Sequence, residues 1–344
     1  MDKMGAAVRT GAVTMSELKP CYSVERCNLV EHVPLSTPFA ITLAPSTACI
    51  FKCCYCPHSI PGTPFVKKNM MWDTFTKIVE QIQEFDTKLK AIHIQGMGEP
   101  LINKDLPKMI AYIKERDIAD QLNLITNGAL LTKQYSLNLI ASGLDTIKIS
   151  LQGLTAEKYY ETSRYRINMQ KLIDDIAFLY KNKKKCQIYV KVADISLDEG
   201  DKEKFFKTFT PISDRANLEY IRPMYDGINY EERNIVKTPG VNIYAQYHPS
   251  FEVCSMGFFM MYINSMGDVY PCCNYRDPAG WGNIHSKTLR NIWNSDTRKD
   301  FLKMMVRKER YHQDKYPICT TCYMPDAMLK IEDNLNSLQE NDLL

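Results

Sequence analysis

Cysteines are grouped at two places in this chain, and that grouping constrains the fold more than any other feature. Of twelve cysteines in 344 residues, four lie within residues 49–56 and five lie between Cys254 and Cys322. Small secreted domains carry a higher cysteine density on shorter chains. The amino terminus shows no secretory signal, and no apolar run approaches about eighteen residues. We therefore expect a reduced, cytoplasmic protein with no membrane segment, whose grouped cysteines bind metal.

The charge balance excludes some partner classes. The formal net charge is +3 for the whole chain. A nearly neutral protein of this size lacks the basic footprint that nucleic acids or anionic membranes require. We expect neither as a partner.

Short apolar runs alternate with amphipathic stretches from residue 38 to residue 222, which predicts strands alternating with helices. The predicted strands are 39–43, 91–95, 121–126, 146–151, 187–193 and 217–222. Thr132 is positioned to open one helix that Gly143 ends, and Asn168 is positioned to open the next. Crossovers of this length allow parallel pairing, so the pattern predicts an α/β sheet covered by helices.

Two of the predicted strands carry polar residues on one face. In 146–151 the apolar residues alternate with Lys148 and Ser150, and in 187–193 they alternate with Tyr189 and Lys191. A polar face opposite the helices indicates a binding site. The alternative is that these side chains pair with one another or reach water at a sheet edge.

The pattern changes after residue 222. Residues 258–263 and 269–270 flank a turn sequence and predict a hairpin in a smaller, cysteine-rich α+β domain. We expect five segments: an N-terminal extension (1–37), the α/β domain (38–222), a connecting segment (223–250), the cysteine-rich domain (251–330) and a polar tail (331–344).

The first cysteine group has the spacing C-x3-C-x2-C, formed by Cys49, Cys53 and Cys56 directly after the first predicted strand. Three thiolates can hold three corners of a cubane iron-sulfur cluster and leave one iron open to a ligand. The alternatives are zinc with His58 as the fourth ligand, or a buried cysteine-rich turn. Cys54 matches no ligand position and is interpreted as a packing residue.

This triplet, with Tyr55 before its last cysteine, resembles the signature of radical S-adenosylmethionine (SAM) enzymes. The resemblance implies a partial (βα)6 barrel and a SAM-binding 4Fe-4S cluster. It also implies an external one-electron reductant, such as flavodoxin or ferredoxin, and reductive cleavage of SAM to a 5'-deoxyadenosyl radical. Residues 96–100 are similar to the Gly-Gly-Glu element of that family, whose glycines let the backbone approach the ligand and whose carboxylate meets its ammonium group. The SAM contacts implied by the resemblance are Tyr55, Gly96, Gly98, Glu99, Asn127, Ser150 and Arg166.

The second cysteine group resembles the SPASM and twitch extensions of radical SAM enzymes. Cys254 and Cys272 bracket Gly267, and Cys319 and Cys322 follow as a C-x2-C pair. The resemblance implies one auxiliary 4Fe-4S cluster with these four cysteines as ligands and Cys273 as a spare. The alternative is a tetrahedral zinc site, since four thiolates also suit zinc.

The resemblance implies hydrogen abstraction but leaves the substrate open. Residues 1–37 are too short for the peptide-recognition domain of many peptide-modifying members, so we expect oxidation or epimerisation of a small polar substrate such as a sugar, aminosugar or aminocyclitol. Lys148, Lys191 and Glu219 are the candidate bases, and Cys186 is the candidate hydrogen donor for an epimerase. The alternatives are a peptide- or protein-modifying enzyme and, more remotely, a non-catalytic iron-sulfur electron carrier.

Overall fold

A computed structural model describes residues 27–62, 66–225, 227–236, 241–243, 251–273, 280–310, 314–327 and 330–343. Nine strands in these residues form one sheet, in the order β6-β5-β4-β3-β2-β1-β7-β8-β9. The strands are β1 Ala40–Leu43, β2 Leu89–Ile94, β3 Ala119–Thr126, β4 Thr146–Leu151, β5 Gln187–Ala193, β6 Arg215–Glu219, β7 Met260–Ile263, β8 Asp268–Tyr270 and β9 Gly282–Asn283. All six strands predicted for the α/β domain are confirmed, with shifts of a few residues at some ends.

The helices agree with the predicted caps. Thr132 Oγ1 accepts a hydrogen bond from the Tyr135 N–H (3.1 Å), and Asn168 Oδ1 accepts one from the Lys171 N–H (3.0 Å). The α-helices are α1 Trp72–Ile82, α2 Leu106–Arg116, α3 Lys133–Ala141, α4 Ala156–Ser163, α5 Met169–Asn182, α6 Asp201–Phe209, α7 Met256–Phe259, α8 Leu289–Trp293, α9 Asp296–Val306, α10 Pro317–Thr321 and α11 Met324–Ala327. Short 3-10 helices lie at Leu29–Glu31, Pro57–Ser59, Pro100–Ile102, Asp194–Ser196, Thr210–Ile212, Ile331–Asp333 and Glu340–Leu343.

Strands β1 to β6 are parallel neighbours in chain order, which confirms the predicted α/β class. The sheet is open at β6 and β9, and its parallel part has the strand order of a partial (βα)6 barrel. Strand β7 pairs parallel with β1, and β8 pairs antiparallel with β7 as the predicted hairpin. The cysteine-rich part therefore continues the same sheet.

The two faces of the sheet differ as the alternation predicts. Ile147, Ile149 and Leu151 belong to the main hydrophobic core. Lys148 and Gln152, on the other face, are only 3% and 4% exposed. Because these polar residues are buried rather than at a solvated edge, the second face forms an interior surface, called here the concave face. Within the described residues, no helix has the length and apolar content needed to cross a bilayer.

Candidate active site

The first cysteine group lies in the loop after β1, at the carboxyl edge of the parallel strands. The Cys56 N–H donates to the Cys53 carbonyl (2.8 Å) and closes a turn. The N–H groups of Lys52 and Cys54 donate to two carbonyls at the end of α4 (2.8 Å each). Helix α4, which the sequence pattern does not predict, holds this loop in place.

The chemistry of this loop fits an iron-sulfur cluster. Burial raises the pKa of Cys49 to about 12 and that of Cys56 to about 11, and it raises the pKa of Cys53 well above its usual value. Thiolates here need a compensating cation, which cluster iron supplies. His58, the ligand that the zinc alternative requires, instead places its Nε2 in a hydrogen bond with the Met97 carbonyl.

Glu99 is 2% exposed and held by three donors. Its Oε1 accepts hydrogen bonds from Thr126 Oγ1 (2.5 Å) and the Leu101 N–H (3.0 Å). Its Oε2 accepts one from the Asn127 N–H (2.8 Å). A carboxylate oxygen can accept two hydrogen bonds, so Oε2 retains one acceptor position for the amino group of a ligand. Burial is the main cause that raises the pKa of Glu99, and a cationic ligand would counter that effect.

Close packing between two loops requires the glycines before Glu99. A Cβ at Gly98 would lie 2.4 Å from the Ser46 carbonyl oxygen, and one at Gly96 (φ +151°) would lie 2.7 Å from the Ala44 Cβ. Both glycines let the loop after β2 pack against the loop after β1. They thereby bring Glu99 toward the cysteine loop, because the Glu99 N–H donates to the Ala48 carbonyl (2.7 Å).

Hydrogen bonds connect the cysteine loop with β4. The Tyr55 hydroxyl donates to Gln152 Oε1, and Gln152 Nε2 donates to the Ser150 carbonyl (3.4 Å). At the end of β3, Asn127 Oδ1 accepts from the Ala129 N–H (3.0 Å). The buried Asn127 Nδ2 has no partner among the described residues, and such an orphaned donor fits a polar ligand. Tyr55 is thus tied through Gln152 to the end of β4, and Glu99 is tied to Asn127 at the end of β3.

Arg166 is placed differently. Its side chain is exposed, and its guanidinium carbon lies 4.9 Å from the centre of the Tyr160 ring. This surface stacking does not favour the SAM contact that the resemblance implies. Arg164, two residues earlier, lines a cleft beside the cysteine loop.

The second cysteine group is assembled from three separate segments. Burial raises the pKa of Cys254 to about 12, and the Cys322 thiolate adds to this shift. The pKa of Cys272 is raised well above its usual value by burial, with further contributions from Cys273, Cys322, Cys254 and Cys319. The four predicted ligands therefore lie within electrostatic range of one another, as one four-thiolate site requires.

A single-ion site has a stricter geometric requirement. No three histidine, cysteine or carboxylate side chains in the described ranges meet closely enough to hold one metal ion. Each thiolate of a cubane cluster binds a different iron, so a cluster does not need that convergence.

The candidate bases lie on the concave face. Lys191 Nζ is 2.6 Å from Glu219 Oε2, with both side chains at most 20% exposed. Lys191 and Glu219 therefore form an internal ion pair, which agrees with the alternative that polar side chains of this face pair with one another. The Lys148 Nζ lies 5.9 Å from the centre of the Tyr189 ring.

Cys186 lies at the opposite end of the strands from the cysteine loop. It immediately precedes β5, at the amino edge of the sheet, where its Sγ is 3.7 Å from the Gln187 carbonyl oxygen. The cysteine loop and Glu99 are at the carboxyl edge, so this position does not favour a role as hydrogen donor. Of the two other cysteines outside both groups, Cys27 contacts Lys90 Nζ (3.7 Å) and Cys21 lies outside the described residues.

Several polar residues of the concave face were not singled out from the sequence. Thr42 pairs in register with His93 on one side and with Tyr262 on the other, and His93 pairs with Asn123. Strand alternation carries a signal for Thr42 and Asn123, as it does for Lys148. Tyr262 carries no such signal, because the pairing of β7 with β1 joins segments that are distant in the chain.

The connecting segment contributes Tyr225 to the region between the two cysteine groups. Burial raises the pKa of Tyr225 well above its usual value, and the thiolates of Cys273 and Cys56 add to the shift. Nearby Ile228, Tyr230 and Ile235 form a cluster against which Tyr55, of the cysteine loop, packs. The described part of this segment therefore covers the loop of the first cysteine group.

Replacing Glu99 with glutamine should weaken SAM binding. The amide NH2 group would face hydrogen-bond donors that now bind a carboxylate oxygen of Glu99. The substitution would also remove the negative charge that faces the amino group of SAM. We expect the SAM dissociation constant, measured by calorimetry on the iron-loaded protein, to rise at least about tenfold. The exposed Glu203→Gln variant is the control, and an unchanged SAM affinity in Glu99→Gln would contradict the assigned contact.

Two family models match this chain. The family model for the radical SAM superfamily matches residues 43–203, and the model for the SPASM iron-sulfur cluster-binding domain matches residues 254–323. A probable GTP 3',8-cyclase of Methanococcus maripaludis is 40% identical over 121 residues, which cover 35% of this chain and 38% of that protein. The chain thus spans less than two fifths of the length of this relative.

A longer match has lower identity. The tungsten-containing aldehyde ferredoxin oxidoreductase cofactor-modifying protein of Pyrococcus furiosus is 26% identical over 304 residues, covering 75% of this chain and 80% of that protein.

Solved structures share the fold. BtrN in complex with AdoMet and 2-DOIA superposes with a TM-score of 0.53 at 18% identity, covering 83% of this chain and 92% of BtrN. The enzyme anSMEcpe with bound AdoMet has a TM-score of 0.55 at 16% identity, covering 82% and 88%. The family assignment implies three cofactors: SAM, a SAM-binding 4Fe-4S cluster and auxiliary iron-sulfur binding in the SPASM domain. The chain belongs to the radical SAM superfamily and carries a C-terminal SPASM domain.

Proposed function

We propose that this radical SAM enzyme oxidises a small polar substrate bound on the concave face. One observation carries the proposal: buried polar atoms of this face have no hydrogen-bond partner in the described residues. They are Thr42 Oγ1, Asn123 Oδ1 and both amide atoms of Asn217. An unsatisfied buried polar group costs about 1–3 kcal/mol. A ligand with several hydroxyl or amino groups would satisfy them, as an aminocyclitol or a sugar can.

The cofactors, when bound, supply a radical that takes a hydrogen atom from substrate carbon. The chain's residues supply the rest of a two-electron oxidation. The concave face holds the substrate hydroxyl, and Glu219, paired with Lys191, accepts its proton. An auxiliary cluster held by Cys254, Cys272, Cys319 and Cys322 would supply the acceptor for the remaining electron. One hydrogen atom, one proton and one electron together account for loss of two hydrogens and formation of a carbonyl group.

The comparisons support a small substrate. BtrN was solved with 2-DOIA, and the relatives named above are called a GTP cyclase and a cofactor-modifying protein. A peptide substrate is the second candidate, because SuiB of Streptococcus suis was solved with its precursor peptide SuiA and shares this fold with a TM-score of 0.53 at 18% identity. Any of these substrate classes is a proposal for this chain.

The test is a substrate panel with the reconstituted enzyme. Anaerobic enzyme with SAM and reduced methyl viologen would be supplied with aminocyclitols, sugars, GTP and peptides, each deuterated at the candidate carbon. We expect deuterium in 5'-deoxyadenosine and one oxidised product per SAM cleaved, with an aminocyclitol or a sugar. Uptake of solvent deuterium into an otherwise unchanged product would establish epimerisation instead. Turnover of peptides alone would favour the second candidate.

The base assignment has its own test. In Glu219→Gln, proton removal should fail while SAM cleavage continues, so product formation should fall by about 100-fold or more relative to 5'-deoxyadenosine. Glu203→Gln, on exposed helix α6 surface, is the matched control. Equal loss of product and 5'-deoxyadenosine would show that Glu219 has another role.

A further inference from the structure

A cleft of about 500 Å³ opens beside the cysteine loop, outside the concave face. Four elements line it: the loop after β1, helix α4, the 3-10 helix Asp194–Ser196 and the described part of the connecting segment. Lys52 and Cys54 come from the loop, Arg164 from the end of α4, and Arg233 from the connecting segment. The Arg233 Nη1 donates to the Cys54 carbonyl (2.9 Å) and joins two of these walls.

The lining is strongly positive. It contains four cationic side chains and one carboxylate, Glu161. The lining side chains therefore carry an excess of three positive charges. Lys158 is compensated, since its Nζ lies 2.7 Å from an Asp198 oxygen and 3.6 Å from a Glu161 oxygen.

The other three cations have no carboxylate partner within the described ranges. Lys52, Arg164 and Arg233 form none of the ion pairs found there. Uncompensated cations around a concave surface create a positive potential that attracts and orients acidic partners.

The cleft also has a definite relation to the first cluster site. Cys54, on its wall, lies between the proposed ligands Cys53 and Cys56 in the chain. Glu99, which does not line the cleft, contacts the same loop through its N–H, which donates to the Ala48 carbonyl (2.7 Å). The cleft therefore lies where an external molecule comes near the cluster ligands without entering the substrate region.

We propose that this cleft is the docking surface for an acidic one-electron carrier protein that reduces the first cluster. The inference rests on the proposed radical SAM activity, which requires an external reductant. Ile195 and Ile235, which also line the cleft, provide an apolar floor for a cofactor edge or side chain of the carrier. In the transfer the carrier is oxidised by one electron, and the first cluster is reduced by one electron.

The test compares two reductants on a charge-reversed variant. In Lys52→Glu/Arg164→Glu, with iron content checked, we expect the KM for reduced flavodoxin in 5'-deoxyadenosine formation to rise at least about tenfold. With reduced methyl viologen, a small cation that needs no docking surface, the rate should stay within about twofold of the unaltered enzyme. The control is Lys184→Glu/Lys185→Glu, at the amino edge of the sheet, which should change neither rate.

Direct binding gives a readout independent of activity. Flavodoxin should bind the iron-loaded protein with an affinity that falls steeply with salt, and the dissociation constant should rise at least about tenfold in the double variant at low salt. If that variant does not fold, Lys52→Gln and Arg164→Gln singly, and the salt dependence of the unaltered protein, provide the same comparison.

The outcomes separate this inference from the proposed function. Salt-independent flavodoxin binding, or a variant with unchanged KM and affinity, would overturn the docking site while leaving the activity intact. Absence of 5'-deoxyadenosine with methyl viologen in the unaltered enzyme would overturn the activity itself. If an acidic peptide substrate bound in the cleft and flavodoxin did not, the carrier assignment would also be overturned.

Discussion

Replacement of Cys53 by alanine is expected to abolish 5'-deoxyadenosine formation. Cys53 lies in the loop that follows β1. Its carbonyl accepts a hydrogen bond from the Cys56 N–H, and the N–H groups of its neighbours Lys52 and Cys54 donate to carbonyls of α4. Two remaining cysteines would not hold a cubane cluster with one open iron. Because all proposed chemistry starts at that iron, activity should fall to background. Iron content should fall by about half, from about eight to about four per chain.

The matched control for this experiment is Cys54→Ala, which removes a neighbouring thiol of the same loop. Cys54 lines the cleft and has no assigned ligand role, so its variant should retain both iron and SAM cleavage. Chemical iron analysis and electron paramagnetic resonance of the reduced protein would check both. If Cys54→Ala lost the cluster and Cys53→Ala kept it, the ligand assignment would be wrong.

Replacement of Cys319 by alanine is expected to separate SAM cleavage from product formation. This cysteine belongs to the second group, where Cys254 and Cys322 both contribute to the raised pKa of its thiol after the dominant effect of burial. Loss of one of four ligands should remove the auxiliary cluster and about four irons. The substrate radical would then lack its electron acceptor. We expect 5'-deoxyadenosine to continue while oxidised product falls by about 100-fold or more.

Cys273→Ala is the matched control, since Cys273 neighbours the proposed ligand Cys272 in the chain. It should keep about eight irons per chain and nearly full product formation. Loss of the second cluster in Cys273→Ala but not in Cys272→Ala would show that the spare cysteine is the ligand. Unchanged product formation in Cys319→Ala, with the auxiliary iron absent, would remove that cluster from the oxidation.

Local patterns were sufficient for much of the fold. Thr132 and Asn168 cap the helices predicted from them, because an N-cap side chain bonds to a backbone N–H only three residues away. The alternation in β4 and β5 placed Lys148 and Lys191 on the polar face, because successive side chains of a strand point to opposite faces. Such relations depend on neighbours in the chain, and a sequence displays them directly.

Other features depend on residues far apart in the chain. The requirement for Gly98 is set by the Ser46 carbonyl oxygen, which a Cβ would meet at 2.4 Å. The pairing of β7 with β1 brings Tyr262 beside Thr42, and the connecting segment brings Arg233 to Cys54. No periodicity in the sequence predicts these contacts, because they form when distant segments pack together.

The sequence by itself determined the two cysteine groups, the α/β class and the family resemblance, because ligand spacing and strand alternation are local properties. The tertiary structure decided which side chains share a site. It placed Cys186 at the edge of the sheet opposite the cluster loop and Arg166 on the surface. It also gathered uncompensated cations from three segments into one cleft. Position along parallel strands and burial follow from long-range packing, which a linear pattern does not contain.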